Sequence, residues 1–110
     1  MTPEATRRVL ALVGLGTRAR NTVVGVEQVR IAAKKGKLAL ALVAGDASEH
    51  SRAKVLPLLA AHGIRVIDGL TASELGNAVG RDGTAAVGVT HAPLASGIRK
   101  AMQTDAAGVH

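Results

Sequence analysis

Apolar positions along the chain switch between a helical and an extended period, with clear punctuation between the runs. Thr2-Pro3-Glu4 predicts a helix start: Thr2 as N-cap, Pro3 at the first helical position and an acid in the first turn. Val9, Leu10, Leu12, Val13 and Leu15 then give a helical stripe opposite Arg7, Arg8 and Thr17, broken at Asn21-Thr22. Thr22-Val23-Val24 predicts a short strand. From Gly25 to Lys35 apolar residues recur at Val26, Val29, Ile31, Ala32 and Ala33 with charge on the other side, which predicts a second helix capped by Gly36.

Leu38–Ala44 predicts a buried strand by its length and Leu/Val content, and Asp46-Ala47-Ser48 supplies a loop and a cap. A third helix is expected over Glu49–His62, bent at Pro57 and closed by Gly63, followed by a strand at Ile64–Ile67. Thr71 and Glu74 have capping-box spacing and open a short helix ending at Gly80. Arg81-Asp82-Gly83 is a turn, Ala85–Val89 a strand, and His91–Met102 a last helix with Pro93 at its start. The order α-β-α-β-α-β-α-β-α predicts an α/β fold. This is a three-layer α-β-α sandwich with about four strands in a mixed central sheet and helices on both faces. Residues 1–103 are expected to form a single domain, with a frayed tail over 104–110.

Composition narrows what such a fold can do. The 110 residues are 47% hydrophobic and 20% charged, a globular balance. Cys is absent, which excludes disulfides, thiolate metal sites and a cysteine nucleophile. Phe, Trp and Tyr are also absent, which excludes nucleic-acid modules that stack bases on aromatic rings. The net charge of +6 is unevenly spread. Residues 1–37 hold Arg7, Arg8, Arg18, Arg20, Arg30, Lys34, Lys35 and Lys37 against only Glu4 and Glu27, while the rest of the chain balances. A one-sided cationic region on a neutral body points to a polyanionic partner. Arg7-Arg8 ahead of an apolar run of about seven residues lacks the cleavage site of a signal peptide. No stretch approaches the ~18 apolar residues of a membrane span, so no membrane partner is expected and the expected location is the cytoplasm.

Val9–Ala19 can be read as a strand followed by G-x-G-x-x-A, a dinucleotide-binding turn through Gly14, Gly16 and Ala19. The helix start at Thr2-Pro3 opposes this reading. So does Lys34-Lys35-Gly36-Lys37, which stands where the ribose-binding acid should lie. Asp46, Ser48 and His50 sit where a helix needs caps and are too close in sequence for a separated triad. The four His, at 50, 62, 91 and 110, lack ligand spacing. No enzyme, cofactor or metal is expected.

The segment Gly25–Gly36 carries the most chemistry. Its first turn holds Glu27, which can accept from base amino groups, and Gln28, which can both donate and accept. Free N–H groups and the helix dipole favour a phosphate at the same place. Arg30 and Lys34 lie at i, i+4, and Lys35 and Lys37 extend the cationic stripe.

In its context this segment resembles the kink-turn RNA-binding ribosomal-protein family (the seven-Ae/thirty-e superfamily), and within it the small bacterial YlxQ-type members. The resemblance runs in register through Leu12-Val-Gly-Leu-Gly-Thr-Arg-Ala-Arg20 and Gly25…Lys35-Gly36. It continues through Ala41–Ser48, Leu56-Pro57-Leu58-Leu59, Glu74-Leu-Gly76-Asn-Ala-Val-Gly80 and Ala85–Val89. It implies an α-β-α sandwich that binds structured RNA, ribosomal RNA included, in a translation-related setting and without DNA specificity. The implied RNA-binding residues are Gly25, Val26, Glu27, Gln28, Arg30, Lys34, Lys35 and Arg81, flanked by loops at Asp46–Ser48 and Arg81–Thr84. Val26, Glu27 and Ile31 depart from the family pattern, which has Thr or Ala, Asn or Lys, and Lys at those places; Arg30 and Lys34, one helical step away, are expected to restore the charge. The alternative is a protein-interaction module on the same fold, which Glu27 in the RNA-facing turn favours.

Overall fold

The computed structural model describes the backbone of residues 1–107 and the side chains of residues 1–103. Nine elements alternate along it: α1 Pro3–Arg18, β1 Thr22–Val24, α2 Val26–Lys34, β2 Leu40–Val43, α3 Glu49–Ala61, β3 Val66–Ile67, α4 Ala72–Val79, β4 Ala86–Val89 and α5 Ala92–Ala107. Local chemistry starts most of the helices as expected. The Thr2 hydroxyl accepts from the Ala5 N–H, Ser48 caps α3 through the Ser51 N–H, and Thr71 and Glu74 form the full reciprocal capping box. The backbone of α5 continues to Ala107, past the expected Met102; beyond Ala107 the tail lies outside the described residues.

The four strands form one mixed sheet in the order β1-β4-β2-β3. β4 pairs antiparallel with both β1 and β2, and β2 pairs parallel with β3. Strand alternation divides the core into two halves. Leu40, Leu42, Ala44, Val87 and Val89 face Val9, Val13, Leu75, Ala95 and Ile98, on the side of α1, α4 and α5. Ala41, Val43 and Ala86 face Val29, Ala33, Val55 and Leu59, on the side of α2 and α3. The result is the expected three-layer α-β-α sandwich. β2 and β3 are shorter than the apolar runs around them. Pairing nevertheless extends past the ends of β2, where Ala39 N–H donates to Val89 and Ala44 N–H to Ala85.

Two apolar positions depart from the expected stripes. Leu15 is 55% exposed and Ile31 43% exposed. On α1 the buried line runs Ala5, Val9, Val13 and Gly16, and Leu15 stands roughly 200° around the helix from Val13 at ~100° per residue. Gly16 takes the inward place instead, and a Cβ there would lie 2.2 Å from Leu94 Cδ2. Gly14 and Gly16 therefore lie inside a helix and serve packing, which agrees with setting aside a nucleotide turn.

Leu42 is fully buried on central strand β2. Leu42→Ala should lower unfolding free energy by about 2–5 kcal/mol, while Leu15→Ala should stay within about 0.5 kcal/mol of the parent. Urea unfolding followed by far-ultraviolet circular dichroism checks both; equal losses would place Leu15 in the core.

Candidate nucleic-acid interface

β1, β2 and β3 all run the same way, because β1 and β2 are each antiparallel to β4 and β3 is parallel to β2. The helices that follow them, α2, α3 and α4, therefore begin at one end of the sheet. β4 starts at that end too, so the α4–β4 loop returns there. Hydrogen bonds join these loops. Gly45 N–H donates to Leu70, Thr84 N–H to Ala72 and Ala44 N–H to Ala85. The Asp46 carboxylate accepts from the Ala72 N–H at 2.8 Å, so Asp46 caps α4 rather than its own helix. Arg52 donates to the Ala44 carbonyl at 2.7 Å and pairs with Asp68 at 3.3 Å.

The start of α2 is tied to β4 by the Gly25 N–H, which donates to the Ala86 carbonyl at 2.9 Å, and Val26 packs against the core beside it. The Thr84 hydroxyl donates to the same carbonyl, which sets the 81–84 loop beside Gly25. Gly25 has φ 99 and ψ 156, a conformation that disfavours side chains, and the space where a Cβ would stand is open. No side chain caps α2, unlike α1, α3 and α4. Its first-turn N–H groups lack a side-chain partner at Gly25, beside Glu27 and Gln28, which are both exposed, and Val26, which is half-buried.

The other expected residues are spread out. Lys34 and Lys35 are exposed on the same helix, but Lys35 lies about 12 Å from Glu27 along the axis at ~1.5 Å per residue. Arg30 is half-buried and its guanidinium donates to the Lys54 carbonyl, tying α2 to α3. Arg81 is exposed in the turn after Gly80, with its N–H bonded to the Gly76 carbonyl. Arg52 and Asp68 help build this end and were not singled out by sequence reading, while Thr84 was expected as part of the flanking loop. Arg52 and Asp68 stand 16 residues apart, so no local pattern links them.

This end is rich in acid. Glu27, Glu49 and Glu74 lie in the first turns of α2, α3 and α4, and Asp46, Asp68 and Asp82 lie in the loops. Among the described residues no three or more His, Cys, Asp or Glu side chains gather as a metal site would require. His91 is used as a cap, its Nδ1 accepting from the Leu94 N–H at 3.3 Å. No described helix is long and apolar enough to cross a membrane.

Residues 7–101 match the family described as Ribosomal protein L7Ae/L30e/S12e/Gadd45, and the chain belongs to that family. It is similar in structure to a protein with unknown function from Bacillus halodurans C, with TM-score 0.80 and 29% identity over 87% of this chain and 97% of that one. It shares its fold with a Giardia lamblia 15.5kD RNA binding protein, with TM-score 0.77 and 20% identity over 94% of this chain and 89% of that one. No curated protein matches the sequence significantly.

The 81–84 loop is held close against α4. A Cβ on Gly76 would lie 2.4 Å from Gly83 Cα and 2.9 Å from the Arg81 carbonyl, and both are backbone atoms that cannot swing aside. Gly76→Ala should therefore cost about 1–3 kcal/mol and shift the amide resonances of residues 81–86. A spectrum unchanged outside residue 76 and its chain neighbours would contradict this packing.

Proposed function

We propose that the chain binds structured RNA and catalyses no reaction, with residues 1–103 as the binding unit. The contacts are the start of α2, with Gly25, Val26, Glu27 and Gln28, the loops at Asp46–Ser48 and Arg81–Thr84, and the cations Lys34 and Lys35. One observation carries this reading: α2 starts uncapped behind an open Gly25, with Glu27 and Gln28 exposed in its first turn. The N–H groups can hold a phosphate or a base oxygen, and the two side chains can read base edges. Family membership and the fold shared with the Giardia RNA binding protein support it. The total lack of aromatic side chains turns the reading toward folded RNA and away from stacked single strands. Arg30 enters it as a residue that positions α2 against α3, with free guanidinium N–H groups left for a phosphate.

The resemblance to YlxQ-type members sets this activity in a cytoplasmic, ribosome- or translation-related particle, with a kink-turn as the RNA fold. The acids at the same end favour a second reading, in which a basic protein segment docks there.

Binding to a folded helix–bulge RNA should exceed binding to poly-U, measured by fluorescence anisotropy across a salt series with labelled RNA. Equal affinity for both would count against the proposal. Lys34→Ala or Lys35→Ala should weaken all RNAs alike and flatten the salt slope by about 0.7–0.9 for each phosphate left without its cation. Gln28→Ala should instead change preference among RNAs by roughly 1–3 kcal/mol with little change in slope. Glu27→Gln should reduce discrimination. If it tightens every RNA equally, Glu27 reads no base and the protein-docking reading moves ahead.

A further inference from the structure

The end of the sheet opposite the α2 start has the reverse charge. The chain enters β1 after Arg18 and Arg20, leaves α2 through Lys34 and Lys35, enters β2 after Lys37, and enters β3 after Arg65. All six are exposed, and none makes a side-chain hydrogen bond or ion pair within the described structure. No described acid stands at this end. Glu4 opens α1 and is paired with Arg8, and the other six described acids lie at the loop end.

Helix dipoles account for Arg18 and Lys34, which close α1 and α2. They do not account for the rest. Lys37 and Arg65 stand just before strands, and Arg20 holds φ 63, where Gly or Asn would be easier. The strand order spreads the cations from β1 to β3, three spacings of about 4.8 Å, so the row is roughly 14 Å wide. Unpaired like charges this close repel one another unless a polyanion joins them. A row of that width spans several successive phosphates of one strand of a duplex.

We infer that this end is a second, sequence-independent RNA surface that grips the phosphate backbone of a double-helical stem. In taking RNA as the ligand this rests on the function proposed above, but it adds Arg18, Arg20, Lys37 and Arg65 at a different end of the molecule. Lys34 and Lys35, on the exposed face of α2, lie between the two surfaces. Bases are read where the protein is acidic and backbone is held where it is basic. One RNA can engage both by lying along α2.

The test compares two variants with the same net charge. One, R18Q/K37Q/R65Q, removes three cations from the row; the other, R7Q/K54Q/R99Q, removes three from elsewhere. Binding to a plain 20-base-pair RNA duplex without a bulge is followed across a salt series. The row variant should lose affinity and about 2–3 units of slope of log K against log salt, while the control stays within one unit of the parent. Its thermal midpoint at low salt should be unchanged or higher, since repulsion is relieved. If it does not fold, single substitutions of Arg18, Lys37 and Arg65 should each lower the slope by up to about 0.9. Equal losses in both triple variants, no loss in either, or tighter binding of poly-glutamate than of duplex would each overturn the inference. Gln28→Ala separates the two proposals. If it leaves preference for bulged RNA intact while the row variant loses the duplex, the α2 start is not the reader and the basic row stands. If the row variant keeps the duplex while Gln28→Ala loses bulge preference, the reverse holds.

Discussion

The insertion of β4 between β1 and β2 is the constraint on which the rest of the structure depends. Three of its four residues pair on both sides: Val89 with Thr22 and Leu40, Gly88 with Val23 and Ala41, Val87 with Val24 and Leu42. Its own side chains alternate between the two cores, Val87 and Val89 to one and Ala86 to the other. Its middle residue must be small. A Cβ on Gly88 would lie 2.6 Å from Leu38 and 2.8 Å from Val23 on the α2 side of the sheet. The first residue of the same strand supplies the carbonyl that holds the start of α2. Core, sheet order and candidate interface thus share four residues.

The uneven charge grows from a rule that operates one helix at a time. Acids stabilise helix starts and bases stabilise helix ends. In a bundle with alternating directions these preferences cancel across the molecule. Here strand polarity makes α2, α3 and α4 start together, so their acids add at one end. Arg18, Arg20, Lys34, Lys35 and Lys37, five of the eight bases of the first 37 residues, gather at the other end, because α1 and α2 both finish there. Arg20, Lys37 and Arg65 go beyond what helix stability calls for.

What was legible in the sequence was mostly local. Thr2-Pro3, Ser48 and the Thr71–Glu74 box announced helix starts because capping is settled within four residues. The alternation of elements implied layers. Strand order did not show, since nothing in Ala85–Val89 says that the last strand lies between β1 and β2. Leu15 and Ile31 misled because a broad apolar stripe does not reveal which edge meets the neighbouring element. At the candidate site Gly25 opens the helix, and Glu27 and Gln28 lie on its first turn, as their spacing implied. The bond from Arg30 to Lys54 depends on how α2 lies against α3, and the separation of acid from base depends on strand direction. Both are tertiary facts that a linear charge count cannot hold.

The central strand is also the last to be synthesised. Thr22 waits for Val89, 67 residues later. At roughly 5–20 residues per second this wait is about 3–13 s on a translating ribosome. Throughout it, the only strand pairing on offer is the two-residue match of β2 with β3. Helices can flicker in that interval, but sheet closure carries the entropy of a long loop and comes late. Gly25 has no Ala86 carbonyl to bind until then. A nascent chain therefore displays its basic first third for seconds before it owns a shaped interface, and both become definite in one cooperative event.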